Sequence, residues 1–258
     1  MEKPLITSLS NPLIKQARAL HQKKARNESG LFLVEGIHHV GEAIEAGWEV
    51  ESVLYASSVL TSAFAHDLIT RLAFTPQLVT AQVMGSLADK DNPQGILAMV
   101  KQRKISLKDL KPVTSIVALV SPQDPGNVGT ILRTMDAVGV DALFVLDGGV
   151  DLYHPTVVRS SMGTMFWKQI VQTSFDDFVH WARKGNYQLI GTSAHGTVDY
   201  HELIPQAPWV LMLGNEQKGL TPEQIKACDL TVSLPMRGRV SSLNLSVAAG
   251  VLLYQFVK

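Results

Sequence analysis

The second half of the chain carries short runs that are apolar at almost every position, separated by segments whose apolar residues recur with helical spacing. Strands buried on both faces show this pattern, whereas strands with one solvated face alternate apolar and polar residues. Alternation of such strands with helices predicts an α/β fold, with a mostly parallel sheet covered by helices on both faces. The predicted strands are SIVALV (115–120), DALFVL (141–146), YQLIGTS (187–193), WVLMLG (209–214) and LTVSLP (230–235).

The first part of the chain predicts a separate, small α/β domain. Its opening helix, within NPLIKQARALHQ (11–22), has Asn11 as N-cap and Pro12 at the first helical position. The next predicted elements are strand 31–36, helix 37–46, strand 51–57, a helix ending near residue 72, strand 77–80, helix 81–87 and strand 95–100. A basic segment ending at Pro112 has the composition of a linker. We therefore expect a first domain at 1–104, a linker at 105–112 and a second domain at 113–258.

Composition is that of a globular protein, because 46% of the 258 residues are hydrophobic and 18% are charged. The formal net charge is zero, so the total charge does not favour nucleic acid. Its distribution is uneven. Six basic residues and no acid lie between Lys3 and Arg26, and a second basic run spans 101–111 with Asp109 as its one acid. Each run is either a solvated face or linker, or a patch that contacts phosphates.

Several classes of protein are excluded by what the chain lacks. The single cysteine, Cys228, excludes an internal disulfide framework and a cysteine-rich zinc site. The chain opens without the apolar core of a signal peptide, and no apolar run approaches the roughly 18 residues that span a membrane. We therefore expect a cytoplasmic protein without membrane contact. His180, His195 and His201 are dispersed, so no metal site is expected.

Three familiar motifs are approached but not completed. GNEQKGL has the glycine spacing of a phosphate-binding P-loop, but Leu220 stands where the lysine belongs. GTSAH (191–195) has His195 in place of the second glycine of a nucleophile elbow. No G-x-G-x-x-G follows the first strand of either domain. A small-molecule α/β enzyme of these kinds therefore lacks its required loops.

Ligands of open parallel sheets bind beyond the carboxyl ends of the strands. The segments there are SPQDPGNVG, DGG, GTSAHG, GNEQKGL and PMRGRVSS, and most combine glycine with polar residues. The first opens a helix with Asn127, Gly129 and Arg133 as N-x-G-x-x-x-R. In a purely structural explanation Asn127 caps the helix, Gly129 permits packing and Arg133 is exposed. In a functional one Arg133 lies near the positive end of the helix dipole and holds a phosphate or a ribose oxygen.

Two later loops carry further candidates. After the fourth strand, Thr221 to Gln224 form a helix start with a capping box, which leaves Gly214, Glu216 and Gly219 available to meet a ligand or an arginine. The last loop has small residues that let a flat ligand approach the main chain: Pro235, Gly238, Ser241, Ser242 and Asn244. Ser242 or Asn244 can equally cap the final helix. That helix, Leu243–Val257, is too apolar for a surface, which predicts burial inside the domain, against a partner, or both.

Taken together, these loops resemble the three signature motifs of the SpoU (TrmH-type) RNA ribose 2′-O-methyltransferases, within the SPOUT superfamily. The matching residues are Asn127, Gly129 and Arg133 in the first motif, Gly214, Glu216, Gly219 and Leu220 in the second, and Pro235, Met236, Gly238, Ser242, Leu243, Asn244 and Ser246 in the third. More loosely, NPLIKQARAL and GLFLVEG resemble the ribosomal-protein-like RNA-binding module that many members carry in front.

The resemblance implies a deep C-terminal trefoil knot, S-adenosylmethionine bound in the knot, and a homodimer formed through the C-terminal domain. It implies catalytic roles for Arg133, Asn127, Glu216, Ser242 and Asn244. By position, the cofactor contacts are Thr192, Ser193, Gly196, Leu213, Gly214, Asn215, Gly219, Leu234, Met236 and Leu243. RNA contacts are expected in the first domain, from Lys15, Arg18, Lys23, Lys24 and Arg26.

The implied activity is methylation of a ribose 2′-hydroxyl in RNA, with ribosomal RNA as the expected substrate. One alternative is a transfer RNA methyltransferase, and another is a non-catalytic RNA-binding or assembly factor of the same fold. Intact Arg133, Glu216 and Asn244 favour an enzyme, since a lapsed site would show losses there. Family proposals give Arg133 the deprotonation step. Because a guanidinium has a pKa above about 12, we expect it instead to hold a phosphate and stabilise the alkoxide.

Overall fold

The computed structural model describes residues 3–88 and 94–257 and divides the chain into two compact units. The first unit comprises Met1–Arg103 and Tyr153–Trp167, and the second comprises Lys104–Leu152 and Lys168–Lys258. This division differs from the three consecutive segments expected from the sequence, because the stretch 153–167 joins the first unit. The expected linker 105–112 lies in the second unit, where Ile105, Leu107 and Leu110 pack against the core.

A four-stranded sheet forms the centre of the first unit. Its elements in chain order are α1 (Pro12–Ala19), α2 (Lys23–Ser29), β1 (Leu31–Glu35), α3 (Ile37–Glu45), β2 (Val50–Tyr55), α4 (Ala63–Thr70), β3 (Gln77–Leu78), α5 (Ala81–Leu87) and β4 (Ile96–Lys101). The strand order is β1-β4-β2-β3, with β4 antiparallel to β1 and β2 and with β3 parallel to β2. Every element predicted in this region is present within a few residues of its expected bounds, and α2 is an element that the pattern did not predict.

The remaining elements follow in chain order. They are β5 (Ser115–Val120), α6 (Pro125–Val138), β6 (Ala142–Leu146), α7 (Pro155–Ser160), a 3-10 turn (Thr164–Phe166), β7 (Gln169–Thr173), α8 (Phe175–Lys184), β8 (Gln188–Thr192), β9 (Val198–Asp199), β10 (Trp209–Leu213), α9 (Pro222–Lys226), β11 (Leu230–Ser233) and α10 (Leu245–Phe256). Helix α7 and the 3-10 turn belong to the first unit, and the others belong to the second.

A seven-stranded sheet with the order β7-β6-β5-β10-β8-β11-β9 runs through the described part of the second unit, and its neighbouring strands pair in parallel. This confirms the predicted α/β fold, and the five predicted strands are all present. Strands β7 and β9 were not predicted. They are the two outermost strands of the sheet. Strand β7, with the sequence QIVQT, is only partly buried, and β9 has two residues. Neither therefore carries the continuous apolar run of a central strand.

Local helix signals are largely realised as the sequence predicts. Asn11 accepts a hydrogen bond from the N–H of Leu13, and Thr221 forms its capping box with Gln224. Of the two candidate caps of α10, the structure selects Asn244, whose side chain accepts from the N–H groups of Ser246 and Val247. Each cap satisfies main-chain donors that a helix leaves open at its start.

The structural explanation in which Asn127 caps α6 is wrong. Asp124 occupies that position, and its Oδ1 accepts hydrogen bonds from the N–H groups of Gly126 (2.6 Å) and Asn127 (3.2 Å). A carboxylate also complements the positive end of the helix dipole. The amide side chain of Asn127 is therefore available for tertiary contacts.

The strand order brings distant loops together at the carboxyl ends of neighbouring strands, which form one edge of the sheet. Strands β5, β10, β8 and β11 are parallel neighbours, so the loops that follow them leave from the same edge. Strand β11 lies between β8 and β9, although these two are consecutive in the chain, so the connection 193–197 crosses β11. Gly196 runs so close that a Cβ atom on it would lie 2.5 Å from the nitrogen of Ser233. The N–H of Thr197 donates to Oγ1 of Thr231 at 3.1 Å.

The terminal helix α10 packs against α6. One side of it is buried through Ala249, Leu252, Leu253 and Phe256, whereas the opposite side leaves Val247, Val251 and Tyr254 51%, 37% and 62% exposed. Burial inside the domain is therefore confirmed for one side of the helix only. Among residues 3–88 and 94–257, the structure has no helix that combines the length and the apolar character needed to span a membrane.

Candidate active site

Glu216 connects the loop after β10 to the start of α6. Its carboxylate accepts hydrogen bonds from the main-chain N–H groups of Gln123 (3.0 Å) and Asp124 (3.1 Å), and from Nδ2 of Asn127 (3.3 Å). We expected Glu216 to meet a ligand or an arginine. In the described part of the chain it pairs instead with these donors, and no arginine forms an ion pair with it.

Asn127 extends this connection to the third loop. Its Oδ1 accepts a hydrogen bond from Nδ2 of Asn244 at 2.9 Å, while its own Nδ2 donates to Glu216. The Oδ1 of Asn244 is engaged in capping α10. Asn127 is buried, at 7% exposure, where an amide needs partners at both ends. One residue from each predicted motif thus belongs to a single hydrogen-bonded chain, Glu216–Asn127–Asn244.

The loop after β10 is held tightly by its own main chain. A Cβ atom on Gly214 would lie 2.2 Å from the carbonyl carbon of Gly219, and Gly219 itself has a φ of +67°. The side chain of Asn215 accepts from the N–H groups of Gln217 and Lys218 and donates to the carbonyl of Ser121 at 2.9 Å. Asn215 therefore shapes the loop with its side chain, and only its main chain is left to contact a ligand.

The other predicted cofactor residues lie on the same edge. The Thr192 hydroxyl donates to the carbonyl of Met212 at 3.2 Å and so ties β8 to β10. The Ser193 Oγ accepts from the N–H of His195 at 3.1 Å. Leu213 is buried, Leu234 and Met236 are half-buried, and Leu243 is 39% exposed. The edge therefore combines fixed main chain with apolar side chains.

Arg133 is the ninth residue of α6, so the predicted effect of the helix dipole does not apply, because that field falls off within the first turn. The helical repeat places Arg133 on the same side as Gly129 and Gly126, one and two turns earlier. Helical side chains lean towards the N-terminus, which directs Arg133 towards the start of α6. Arg133 is exposed and has no hydrogen bond or ion pair with any residue that the structure describes. Ser242 is also exposed.

Two parts of the site were not among the predicted residues. Asp124, in the PQDPG stretch, fixes the start of α6, and Asp followed by Pro is the sequence signal that indicates such a cap. Arg237 and Arg239 flank Gly238 on the third loop, and both are exposed. The sequence signal that could have found them is the R-G-R pattern within a polar loop, which indicates positive charge beside the site.

Not all of the residues that we expected to contact RNA in the first unit lie at the surface. Lys15, Arg18, Lys23 and Lys24 are exposed. The prediction for Arg26 is wrong, because this residue is 1% exposed. Its Nη1 donates to the carbonyls of Leu20 (2.7 Å) and His21 (2.9 Å), just after α1. A buried guanidinium is stable only when its donors are satisfied, so Arg26 is a structural residue.

Asp141 and Cys228, both in the second unit, have pKa values that their surroundings shift. Burial acts to raise the pKa of Asp141, but hydrogen bonds from the N–H and hydroxyl groups of Thr114 and Ser115 outweigh it and hold the pKa below its usual value. Burial, with Asp229 nearby, raises the pKa of the Cys228 thiol to about 11. Cys228 is therefore protonated near neutral pH and is not a nucleophile. In the described residues no cluster of His, Cys, Asp or Glu is suited to a metal ion.

Fold and site together define a class of protein: an α/β domain whose parallel sheet gathers polar loops at one edge beside a C-terminal helix, with a smaller α/β unit in front. The model of the SpoU rRNA Methylase family matches residues 114–254, and the model of the MRM3-like substrate binding domain matches residues 11–98. The chain belongs to the SpoU rRNA methylase family.

Similarity to individual relatives extends over both units. The 23S rRNA (guanosine(2553)-2′-O)-methyltransferase of Bacillus subtilis is 30% identical over 96% of this chain and 97% of its own. The 23S rRNA (uridine(2479)-2′-O)-methyltransferase of Streptomyces viridochromogenes is 33% identical over 93% and 86%. Among solved structures, the AdoMet-bound rRNA methyltransferase of Sinorhizobium meliloti has a TM-score of 0.88 at 34% identity, covering 98% of this chain and 96% of its own. The AdoMet complex of the SpoU methyltransferase AviRb from Streptomyces viridochromogenes has a TM-score of 0.86 at 31% identity, covering 95% and 96%.

Proposed function

We propose that this protein transfers the methyl group of S-adenosylmethionine to a ribose 2′-hydroxyl of ribosomal RNA. The observation that carries the proposal is the chain Glu216–Asn127–Asn244, which joins one residue from each motif loop at a single edge of the sheet. Relatives named as 23S rRNA 2′-O-methyltransferases and neighbours solved with AdoMet support the same reaction and cofactor.

The loops after β8, β10 and β11 fit an adenosine group. Gly196 and Gly214 allow main chain to pack on main chain, so the loops present fixed amide groups instead of flexible side chains. We assign the cofactor contacts to the main chain of Thr192–Gly196, Leu213–Gly219 and Leu234–Leu243, with the side chains of Leu234, Met236 and Leu243 lying against the adenine. When bound there, S-adenosylmethionine supplies a methyl group on a positively charged sulfur, which is a good leaving group.

The residues of the chain then have to align the ribose and balance charge. Alignment of two reactants is worth about 7–11 kcal/mol. We assign Arg133, exposed and unpaired in the described residues, to the phosphate beside the target ribose and to the developing 2′-alkoxide. Since a guanidinium is a poor base, the 2′-proton passes to solvent. Ser242 contacts the ribose, whereas Asn127, Glu216 and Asn244, with their polar groups already engaged, are positioning residues.

The C-terminal segment is proposed to form the trefoil knot typical of the family. Strand β11 sits between β8 and β9 while the connection 193–197 crosses it, and the chain then continues to α10 on α6. If the segment after β11 passes beneath the connection 193–197 before α10 returns to α6, the C-terminus is threaded through that connection. The same loop would then serve both as part of the knot and as one wall of the cofactor site.

We also propose a homodimer formed through α10. Its outward side exposes Val247, Val251 and Tyr254, and Val257 just beyond the helix is 46% exposed. A contiguous apolar stripe of this kind on a helix is typical of an interface. We propose a cytoplasmic location, which the proposed ribosomal RNA substrate supports, and we assign Lys15, Arg18, Lys23 and Lys24 of the first unit to RNA phosphates.

Two measurements test the proposed activity. Isothermal titration calorimetry with S-adenosylhomocysteine tests the cofactor site, and methyl transfer to 23S rRNA from cells that lack the gene tests the reaction. Arg133→Ala should lower kcat/KM by about 100- to 1,000-fold, the usual effect of losing one charge-stabilising donor, without changing S-adenosylhomocysteine binding. Lys184→Ala, exposed on α8, is the matched control.

The alternatives give different results in the same experiments. Methylation of transfer RNA in place of 23S rRNA would correct the substrate and keep the reaction. A protein that binds RNA but neither binds S-adenosylhomocysteine nor transfers a methyl group would be a scaffold, and the proposal would be wrong. An Arg133→Ala variant with the wild-type rate would remove Arg133 from the chemistry.

A further inference from the structure

An exposed patch of aromatic and thioether side chains lies beside α3 in the first unit. We call it the α3 patch and define it as His38, Met162 and Trp167. Trp167 is 54% exposed, Met162 is 42% exposed, and the His38 side chain is 53% exposed. Contiguous exposed patches of apolar side chains are typical of interaction sites.

The patch is exposed and yet fixed in place. Glu42 accepts a hydrogen bond from Nε1 of Trp167 at 2.6 Å, and its other oxygen lies 3.7 Å from Nδ1 of His38. The Nε2 of His38 donates to the carbonyl of Met162 at 3.1 Å. A buried tryptophan needs a partner for its N–H, but a ring that is half in solvent does not. The bond to Glu42 therefore serves to set the orientation of the indole.

The main chain holds Met162 on the surface in the same way. Met162 has a φ of +51°, a left-handed conformation that is uncommon for a residue with a side chain. The next residue, Gly163, lies so close to α3 that a Cβ atom on it would be 2.5 Å from Cγ of Glu42. This tight turn holds Met162 at the surface next to His38, and such strain is kept where the arrangement has a use.

We infer that the α3 patch stacks an unpaired base of the RNA substrate. The inference rests on the proposed function. Proteins that bind single-stranded RNA stack bases on aromatic side chains, and a half-exposed indole whose N–H edge is bonded presents the remaining surface for this purpose. The Glu42 carboxylate, at the N–H edge of the ring, keeps further lone pairs that can accept a hydrogen bond from the amino group of a base. A second exposed ring, Phe64 (52%), covers Gly41 of the same helix.

The chemistry of the surroundings favours a base over a protein partner. The side chains are a tryptophan, a histidine and a methionine around a carboxylate, not an aliphatic surface. Helix α3 also lies within the segment 11–98 that matches a substrate binding domain. An unpaired base needs one flat apolar face with polar groups at its rim, which is the arrangement found here.

Substitution of Trp167 tests the inference directly. Trp167→Ala should raise the Kd for 23S rRNA by roughly 5- to 150-fold, the range for loss of one stacked base, whereas Trp167→Phe should stay close to wild type because the ring is retained. Glu42→Ala should weaken binding as a positioning change, and Glu42→Gln, which keeps an acceptor for the indole, should restore most of it. Ile204→Ala, which removes an 83% exposed apolar side chain in the second unit, is the matched control.

Fluorescence gives a readout that a structural role would not produce. The chain has four tryptophans, which all lie in the described residues, and Trp167 alone among them is exposed. A short single-stranded oligoadenylate should quench the emission of the wild-type protein, and a duplex of the same length should quench it much less. The quenching should disappear in Trp167→Phe even though this variant still binds the oligonucleotide.

The outcomes separate this inference from the proposed function. If S-adenosylhomocysteine binding and methyl transfer are intact but Trp167→Ala binds rRNA as wild type does and no quenching occurs, the α3 patch does not bind a base. The same conclusion follows if Trp167→Ala changes only association between protein molecules. If the wild-type protein fails to bind S-adenosylhomocysteine and to transfer methyl groups, the proposed function fails, whatever the patch does.

Discussion

Individual side chains in this protein owe their roles to the partners that surround them. Glu216 and Asp141 are both carboxylates near the ends of strands, and both accept hydrogen bonds from main-chain N–H groups. Glu216 connects two loops of the active site, whereas Asp141 fixes the segment that leads into β5. Arg133 and Arg26 show the same contrast for arginine, because one is exposed and the other is buried against main-chain carbonyls.

Asp141→Asn should lower the stability of the second unit at neutral pH by about 1.5–3 kcal/mol, the usual range for hydrogen bonds to a charged group. Because the folded-state pKa of Asp141 lies below the unfolded one, its contribution is fully present above about pH 4 and is lost as the pH falls through the folded-state pKa. Urea unfolding across this range should show the difference from wild type shrinking towards acid. The control is Glu202→Gln, which replaces an exposed acid with its neutral amide. A stability difference between Asp141→Asn and wild type that does not depend on pH would contradict the assignment.

At the scale of elements, the loops of the active site depend on glycines at positions where a side chain would collide with the main chain. Gly214 lets the start of its loop lie against Gly219 and Leu220, and Gly196 lets the connection 193–197 cross β11. Both are close approaches of main chain to main chain. The shape of the cofactor edge is therefore built into the backbone.

Gly214→Ala should disrupt the loop after β10. Its new methyl group would lie 2.2 Å from the carbonyl carbon of Gly219, so the main chain must move, and overpacking of this kind costs about 1–3 kcal/mol. We expect a lower melting temperature and at least about a tenfold loss of S-adenosylhomocysteine affinity by calorimetry. Gly85→Ala, on α5 with no atom within 4 Å of the added Cβ, should leave that affinity unchanged. Wild-type affinity in Gly214→Ala would show that the loop does not shape the site.

For the whole molecule, the exposed side of α10 and the basic residues of the first unit determine which partners the protein meets. Val251→Asp should convert the proposed dimer to monomers in analytical ultracentrifugation, because a carboxylate would be desolvated at the interface. Leu5→Asp adds the same charge at a residue of the first unit that is 50% exposed, and it should leave the dimer intact. A wild-type protein that sediments as a monomer would rule out the proposed interface.

Salt dependence tests the proposed RNA contacts of α2. If Lys23 and Lys24 each contact a phosphate, the double change to Gln should reduce the slope of log K against log salt by about 1.4, or 0.7 for each single-strand contact. Filter binding of 23S rRNA at several salt concentrations measures the slope. Arg26→Met should instead destabilise the first unit and leave the slope unchanged, since Arg26 is buried. An unchanged slope in the lysine variant would remove both residues from the interface.

Features that depend on neighbours in the chain were predictable from the sequence. Central strands were recognised because burial on both faces requires continuous apolar runs, and the caps at Asn11 and Thr221 were recognised because they use donors within one turn. The short edge strands β7 and β9 were missed because an edge needs no such run. The membership of 153–167 in the first unit was missed because no local pattern records it.

The sequence by itself determined the α/β class, the position of the polar loops after the strands, and the motifs that point to methyl transfer, since each of these is written in contiguous residues. Only the tertiary structure decided that Asp124 caps α6, that Arg26 is buried, that one side of α10 is exposed, and that Glu216, Asn127 and Asn244 form one hydrogen-bonded chain. These contacts join positions 89 and 117 residues apart. They follow from the strand order, and the order in which strands pair is set by packing of the whole sheet and not by any one segment.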